Sequence, residues 1–129
     1  SGAGGTSWSQ VERFRLKEEV DIRVAESFRD WGIPTGEALL RLVERKINAL
    51  IISSGGLKTG MDLAKSIAIG ANLAGMASVF LKKAVGSIDD LINEVKIFEK
   101  IIKISMFATG SQNITQFQDS KIYKAGKPT

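Results

Sequence analysis

The 129-residue sequence contains no histidine and no cysteine. The chain therefore cannot hold a Ser-His-Asp triad, an imidazole base or a thiolate nucleophile. It also cannot form a zinc finger or an intrachain disulfide, which excludes a secreted scaffold built on disulfides. A reducing compartment is the natural setting for such a composition, and we expect a cytoplasmic protein.

Long hydrophobic runs and aromatic clusters are also scarce. The longest uncharged stretch, residues 66–81, includes Asn72 and two glycines, and a membrane-spanning helix needs roughly 20 apolar residues. Aromatic residues make up 7% of the chain and do not alternate with a basic cluster, so we expect neither a membrane nor a nucleic-acid partner. The net charge of +4 suits an anionic ligand, although the charges are mixed along the chain as on ordinary solvated surfaces.

Thirteen glycines against two prolines is the unusual part of the composition. Glycine adopts positive φ without strain and lets the backbone approach a ligand closely. Eight of the glycines fall into three groups, which are Gly2, Gly4 and Gly5, then Gly55, Gly56 and Gly60, then Gly70 and Gly75. Each group therefore predicts a tight turn or a ligand cradle.

The spacing of hydrophobic residues predicts helices and short strands in alternation. Strands buried on both faces are expected at residues 49–53 and 73–77, and helices at residues 24–31, 35–46, 61–69, 79–85 and 88–108. Ser87 followed by Asp90 indicates the capped start of the last of these helices. This order is typical of parallel α/β architecture. Residues 112–129 are expected to be a polar, weakly ordered tail, in which residues 113–119 are compatible with a short helix.

Two glycine-containing segments each follow a predicted strand and lead into a helix. Residues 54–60 read Ser-Gly-Gly-Leu-Lys-Thr-Gly, and residues 75–78 read Gly-Met-Ala-Ser. In (β/α)8 barrels the loops after strands 7 and 8 often form a phosphate site from backbone N–H groups and a helix N-terminus. One such loop is better explained as a simple turn between strand and helix. Two in series favour a phosphate site, to which Lys58 would add a full positive charge.

Four motifs follow one another along the chain. They are residues 1–8 (Ser-Gly-Ala-Gly-Gly-Thr-Ser-Trp), 30–35 (Asp-Trp-Gly-Ile-Pro-Thr), 53–60 (Ser-Ser-Gly-Gly-Leu-Lys-Thr-Gly) and 75–77 (Gly-Met-Ala). In this order they resemble the type 2 isopentenyl-diphosphate isomerase family, and residues 108–111 (Ala-Thr-Gly-Ser) match it as well. The third motif alone is similar to several FMN-dependent barrels. The His and Arg form of the first motif in glycolate and lactate oxidases is absent, as is the catalytic Cys loop of inosine monophosphate dehydrogenase.

The resemblance implies an FMN-dependent (β/α)8 TIM barrel that interconverts isopentenyl diphosphate and dimethylallyl diphosphate. In that family reduced FMN acts as the acid–base catalyst, a nicotinamide cofactor such as NADPH reduces it, and Mg²⁺ bridges the substrate diphosphate. By motif match, the residues that would bind FMN are Ser1, Thr6, Gly55, Gly56, Leu57, Lys58, Ala77 and Ser78. No catalytic residue and no magnesium ligand of the family has a counterpart in this chain.

The residues alone leave some of these roles open. Thr6 is as well suited to capping a helix near Trp8 as to contacting a ligand. Trp8 is expected to pack in the core or against a loop. Asp62 and Lys65 are expected to lie on the exposed face of their helix.

The predicted fold class is therefore α/β, as the C-terminal part of a (β/α)8 barrel with the end of strand 6 and strands 7 and 8. A complete barrel takes about 250 residues, so residues 1–111 are expected to be incomplete and inactive alone. Open strand edges call for the missing N-terminal barrel segment as a partner, and self-association into a homo-oligomer is also expected. Two alternatives remain, which are a non-catalytic flavin- or phosphate-binding half-barrel and a segment of a related FMN-dependent barrel oxidoreductase.

Overall fold

The computed structural model describes Gly5 and residues 7–120, and within them it has seven helices and two strands. Their order confirms the mixed helix and strand organisation expected from the sequence. Along the chain they are α1 (Trp8–Arg13), α2 (Glu19–Ser27), α3 (Thr35–Glu44), β1 (Ile52–Ser54), α4 (Gly60–Ile69), β2 (Leu73–Gly75), α5 (Ser78–Gly86), α6 (Ile88–Ala108) and α7 (Ile114–Gln118).

The two strands pair in parallel, and Ile52 lies opposite Leu73. Helix α4 connects them, so β1, α4 and β2 form one βαβ unit. The side chain of Asn72 extends this pairing, because its Oδ1 accepts the N–H of Ile51 at 2.8 Å. The carboxyl ends of both strands consequently lie at the same edge of the sheet.

Within the described residues, the sheet is covered on one face only. Ser53 is buried, and its hydroxyl donates to the hydroxyl of Ser66 in α4 at 3.1 Å. Because side chains alternate along a strand, Ile52 and Leu73 point to the opposite face, where they are 65% and 59% exposed. The expectation of strands buried on both faces is thus wrong for the described residues, since their helices supply a cover for one face alone.

Helix α4 is the centre of the packing and contacts α3, α6 and α7. Its residues Ala64 and Ala68 form a buried cluster with Phe117 of α7. At its first turn, a Cβ on Gly60 would come within 2.9 Å of the Ile101 side chain, so α4 and α6 approach closely there. The rings of Phe80 and Phe98, 5.5 Å apart, hold α5 against α6.

The sequence correctly predicted the end of α4 and the start of α6. The Ser87 hydroxyl accepts the N–H of Asp90 at 3.0 Å, which confirms the predicted start of α6. Gly70 ends α4 with a φ of +123°. The helix expected over residues 24–31 lies earlier, because α2 ends at Ser27 and Phe28 begins a turn.

The described part of the expected tail packs onto the body of the chain. Residues 114–118 form α7, whose Phe117 is only 3% exposed. The side-chain amide of Gln118 donates to the carbonyl of Ala71 at 2.8 Å. The short helix expected within residues 113–119 is therefore present as α7. Residues 121–129 of the predicted tail lie outside the described residues.

Among the helices that the structure describes, none combines the length and apolar character needed to cross a bilayer.

Candidate functional site

The two glycine loops line one cleft of about 500 Å³. The residues around it are Gly5, Ser54, Gly55, Gly56, Leu57, Lys58, Met76, Ala77, Ser78 and Leu81. Parallel pairing of β1 and β2 explains the arrangement, because the segments after both strands emerge at the same sheet edge. Six of the residues predicted to bind FMN therefore lie together, while Ser1 and Thr6 lie outside the described residues.

The first loop requires glycine at two successive positions. Gly55 has a φ of +107° and Gly56 a φ of +75°. A side chain in the left-handed region costs about 1–2 kcal/mol per residue. The two glycines thus let the chain turn from β1 toward α4 without this strain.

Gly5 packs directly against the same loop. A Cβ placed on Gly5 would lie 2.8 Å from the Cα of Gly55 and 3.2 Å from the N of Gly56. Such distances leave no room for any side chain. Gly5, from the first glycine group, therefore packs against the second group. The sequence predicted that each group forms a tight turn or a ligand cradle, but it did not predict this contact between them.

The N-terminus of α4 is closed by its own residues. The Asp62 carboxylate accepts the backbone N–H groups of Lys58 at 3.0 Å and Thr59 at 2.9 Å. In return, the Thr59 hydroxyl accepts the N–H of Asp62 at 3.1 Å, which completes a capping box. The hydrogen bond from the Lys58 backbone is the main cause that lowers the pKa of the Asp62 carboxyl. Lys65 is exposed, as expected, whereas Asp62 is half-buried and has a capping role that the sequence analysis did not assign to it.

The N-terminus of α5, by contrast, is open. Within the described part of the chain no side chain caps this nine-residue helix, which begins at Ser78 after Ala77. The first N–H groups of a helix lack intrahelical partners and carry a partial positive charge. Ala77 and Ser78 both line the cleft. Together with the exposed Lys58, this helix end makes the cleft suited to an anion.

Thr35 ties a third element to the site. Its hydroxyl donates to the carbonyl of Gly55 at 2.6 Å. The helix expected over residues 35–46 is α3, in which Thr35 is the first residue and Pro34 occupies the capping position. The start of α3 is consequently fastened to the loop that lines the cleft.

A second, more apolar groove of about 440 Å³ lies beside α1. It is lined by Ser7, Trp8, Ser9, Phe28, Trp31 and Gly32. Trp8 is 84% exposed and Trp31 is 77% exposed. The expectation that Trp8 packs in the core or against a loop is therefore wrong for the described residues, because no other described segment covers this groove.

Sequence comparison identifies named relatives. The isopentenyl-diphosphate delta-isomerase of Rickettsia rickettsii (strain Sheila Smith) is 44% identical over 122 residues, which cover 95% of this chain and 36% of the relative. The enzyme of the same name from Rickettsia canadensis (strain McKiel) is 45% identical over 123 residues, with 95% and 36% covered. That from Oceanobacillus iheyensis is 40% identical over 120 residues, with 93% and 34% covered.

The resemblance to isopentenyl-diphosphate delta-isomerases is confirmed. The chain spans about a third of the length of the curated isomerases that it matches. Because the match leaves only a few residues of the chain outside it, both loops of the cleft fall within the part that is similar to these isomerases. No protein-family model matches the chain.

Proposed function

We propose that this chain is the C-terminal portion of an FMN-dependent (β/α)8 barrel that acts as an isopentenyl-diphosphate delta-isomerase, and that its cleft binds the FMN phosphate. The observation that carries the proposal is the meeting of Gly55, Gly56, Leu57, Lys58, Ala77 and Ser78 in one cleft. These residues come from two loops about twenty positions apart in sequence. In this interpretation β1 and β2 are strands 7 and 8 of the barrel.

The charges around the cleft favour a phosphate at the start of α5. An anion at a helix N-terminus gains about 0.3–1 kcal/mol from the helix dipole. The Lys58 ammonium adds a full positive charge, as a point charge rather than as a bidentate partner. The N-terminus of α4 offers less, because the Asp62 carboxylate already accepts the N–H groups there.

The shape of the site also fits a phosphate group. The close approach of Gly5 to Gly55 keeps side chains out of the floor of the cleft, and the space beside Gly75 is open. The Lys58 ammonium, the Ser78 hydroxyl and backbone N–H groups form a donor set of the kind that phosphate monoesters prefer. Bound in reduced form, FMN would supply the acid–base chemistry of the isomerisation. We assign Mg²⁺ and NADPH to the remainder of the protein, as the resemblance implies.

The bare sheet face supports the barrel. Ile52 and Leu73 form a cross-strand apolar pair that the described residues leave exposed. In a barrel this face would point inward and would be covered by side chains of the other strands. We therefore propose that the remaining strands, from an N-terminal segment, complete the domain and contribute the groups that hold the isopentenyl or dimethylallyl diphosphate. Oligomers of the completed barrel and a cytoplasmic location remain part of this proposal.

The binding part of the proposal is tested with Lys58→Met. Because a hydrogen bond to a charged group contributes about 1.5–3 kcal/mol, loss of the ammonium should weaken FMN binding by about tenfold or more. The measurement is flavin-fluorescence titration of the chain combined with the missing barrel segment. Lys65→Met, on the exposed face of α4, is the matched control and should leave the affinity unchanged. Equal affinities for the two variants would contradict the assignment of the cleft.

The catalytic part is tested on the same reconstituted barrel. With FMN, a reductant and Mg²⁺ it should interconvert the two diphosphates, which can be followed by separating them chromatographically. A folded, flavin-loaded barrel without this activity would overturn the isomerase assignment. That outcome would support a non-catalytic flavin-binding barrel, whereas flavin reoxidation coupled to another substrate would support a related oxidoreductase.

A further inference from the structure

Asp62 hydrogen-bonds the backbone of the first loop but is not among the residues that line the cleft. We infer that Asp62 is a positioning residue, whose carboxylate holds residues 55–58 in the shape that receives the phosphate and directs the anion to α5 instead of α4. This inference rests on the proposed phosphate role of the cleft. It concerns a residue that neither the motif match nor the lining of the cleft singles out.

Hydrogen bonds fix the far end of the loop. A single carboxylate oxygen, Oδ2, accepts two successive backbone N–H groups, from Lys58 and Thr59. The Lys58 N–H is thereby committed to Asp62. Lys58 therefore acts on an anion through its ammonium group, while its backbone is held in place.

The near end of the loop is fixed as well. The Thr35 hydroxyl holds the carbonyl of Gly55, and Gly5 backs Gly55 and Gly56. Only Gly56 and Leu57 lie between the two attachment points. Glycine loses more conformational freedom on ordering than other residues, so a loop with two glycines binds a ligand weakly unless it is already ordered. Attachment at Asp62 removes this cost before the ligand arrives.

The charge of Asp62 makes the N-terminus of α4 less attractive to an anion than the N-terminus of α5. A carboxylate in the first turn of α4 offsets the positive end of that helix dipole. The charged groups near it are Lys58, at the cleft, and Lys65, one turn further along α4. No such acid lies in the first turn of α5. A phosphate entering the cleft thus meets one open helix end, that of α5.

A comparison of FMN with riboflavin tests the inference, because the two ligands differ only in the phosphate. In the reconstituted barrel, Asp62→Ala should weaken FMN binding about tenfold and should change riboflavin binding less than twofold. Asp62→Asn keeps an oxygen acceptor and should restore part of the FMN affinity. Asp90→Ala removes the corresponding acid from the first turn of α6 and serves as the control, with no change for either ligand. Equal losses for FMN and riboflavin, or no loss for either, would overturn the inference.

A second measurement needs no flavin. In the 129-residue chain, the amide protons of Lys58 and Thr59 should exchange with solvent faster in Asp62→Ala than in the wild type, as followed by NMR. Unchanged exchange at both amides would overturn the inference. Failure of the wild-type barrel to bind FMN would instead overturn the proposed function, and the exchange rates would then still show whether Asp62 holds the loop.

Discussion

At the scale of single residues, Gly56 governs the shape of the cleft because its φ of +75° lies in the left-handed region. Gly56→Ala should lower the free energy of unfolding by about 1–2 kcal/mol. Gly36 provides the opposite case, since it is the second residue of α3 and nothing lies within 4 Å of its Cβ position. Because alanine restricts the unfolded chain more than glycine does, Gly36→Ala should raise stability by about 0.4–1 kcal/mol. Urea unfolding followed by circular dichroism measures both, and shifts of the same sign would contradict the prediction.

Asp62 gives the chain a defined dependence of stability on pH. Hydrogen bonds from the loop, chiefly that from the Lys58 backbone N–H, lower the pKa of its carboxyl below the ordinary value. Ionised Asp62 therefore contributes stability that is fully present above the unfolded pKa of about 3.9, and this contribution is lost as the pH falls through the lower, folded pKa. The stability difference between wild type and Asp62→Asn should be largest above about pH 4 and should shrink in more acidic solution. A difference that stays constant from pH 2 to pH 6 in urea titrations would contradict the shifted pKa.

At the scale of elements, α7 acts as part of the core. Phe117→Ala removes a 3% exposed ring from the cluster with Ala64 and Ala68, and such substitutions cost about 3–5 kcal/mol. Phe107 of α6 is 87% exposed, so Phe107→Ala should change stability by less than about 0.5 kcal/mol. Thermal unfolding of the two variants distinguishes a packed α7 from a loose tail. Similar melting temperatures would show that α7 contributes nothing to the core.

The comparison of sequence with structure also belongs to this scale. Ser87 and Gly70 marked helix ends correctly because capping and positive φ depend on a few neighbouring residues. The Thr59–Asp62 pair has the same signature, yet an acid near a helix start looks like an ordinary surface charge, and its bonds to the loop were missed. The residues of β1 alone could not predict whether both of its faces are buried, because the second face can be covered only by other segments of the chain.

The candidate site also combines features that local sequence predicts with contacts that it does not predict. The loops at Gly55 and Ala77 were predicted to act together because each follows a predicted strand and leads into a helix, like the paired phosphate loops of (β/α)8 barrels. In the structure, the parallel pairing of β1 and β2 brings both loops to one cleft. The contact of Gly5 with Gly55 and the bond from Thr35 join positions far apart in sequence. No spacing rule within one element predicts such contacts, so they required the folded chain.

At the scale of the whole molecule, the bare sheet face should control association. Exposed apolar strands with open edges promote pairing between chains. The double substitution Ile52→Thr and Leu73→Thr should therefore reduce self-association of the isolated 129-residue chain, as measured by sedimentation velocity. Val85→Thr, which alters an exposed apolar residue of α5, is the control. An unchanged distribution of species in the double variant would mean that association uses another surface.

The groove beside α1 has a consequence for how this chain can be observed in solution. Trp8 and Trp31 are the only tryptophans in the sequence, and both side chains already face water in the folded chain. Their emission should hardly change when the chain is denatured, so an indole signal would miss a transition that circular dichroism detects. The same property makes them useful in another way. A shift of their emission to shorter wavelength would report that some other surface has come to cover the groove, without any added dye.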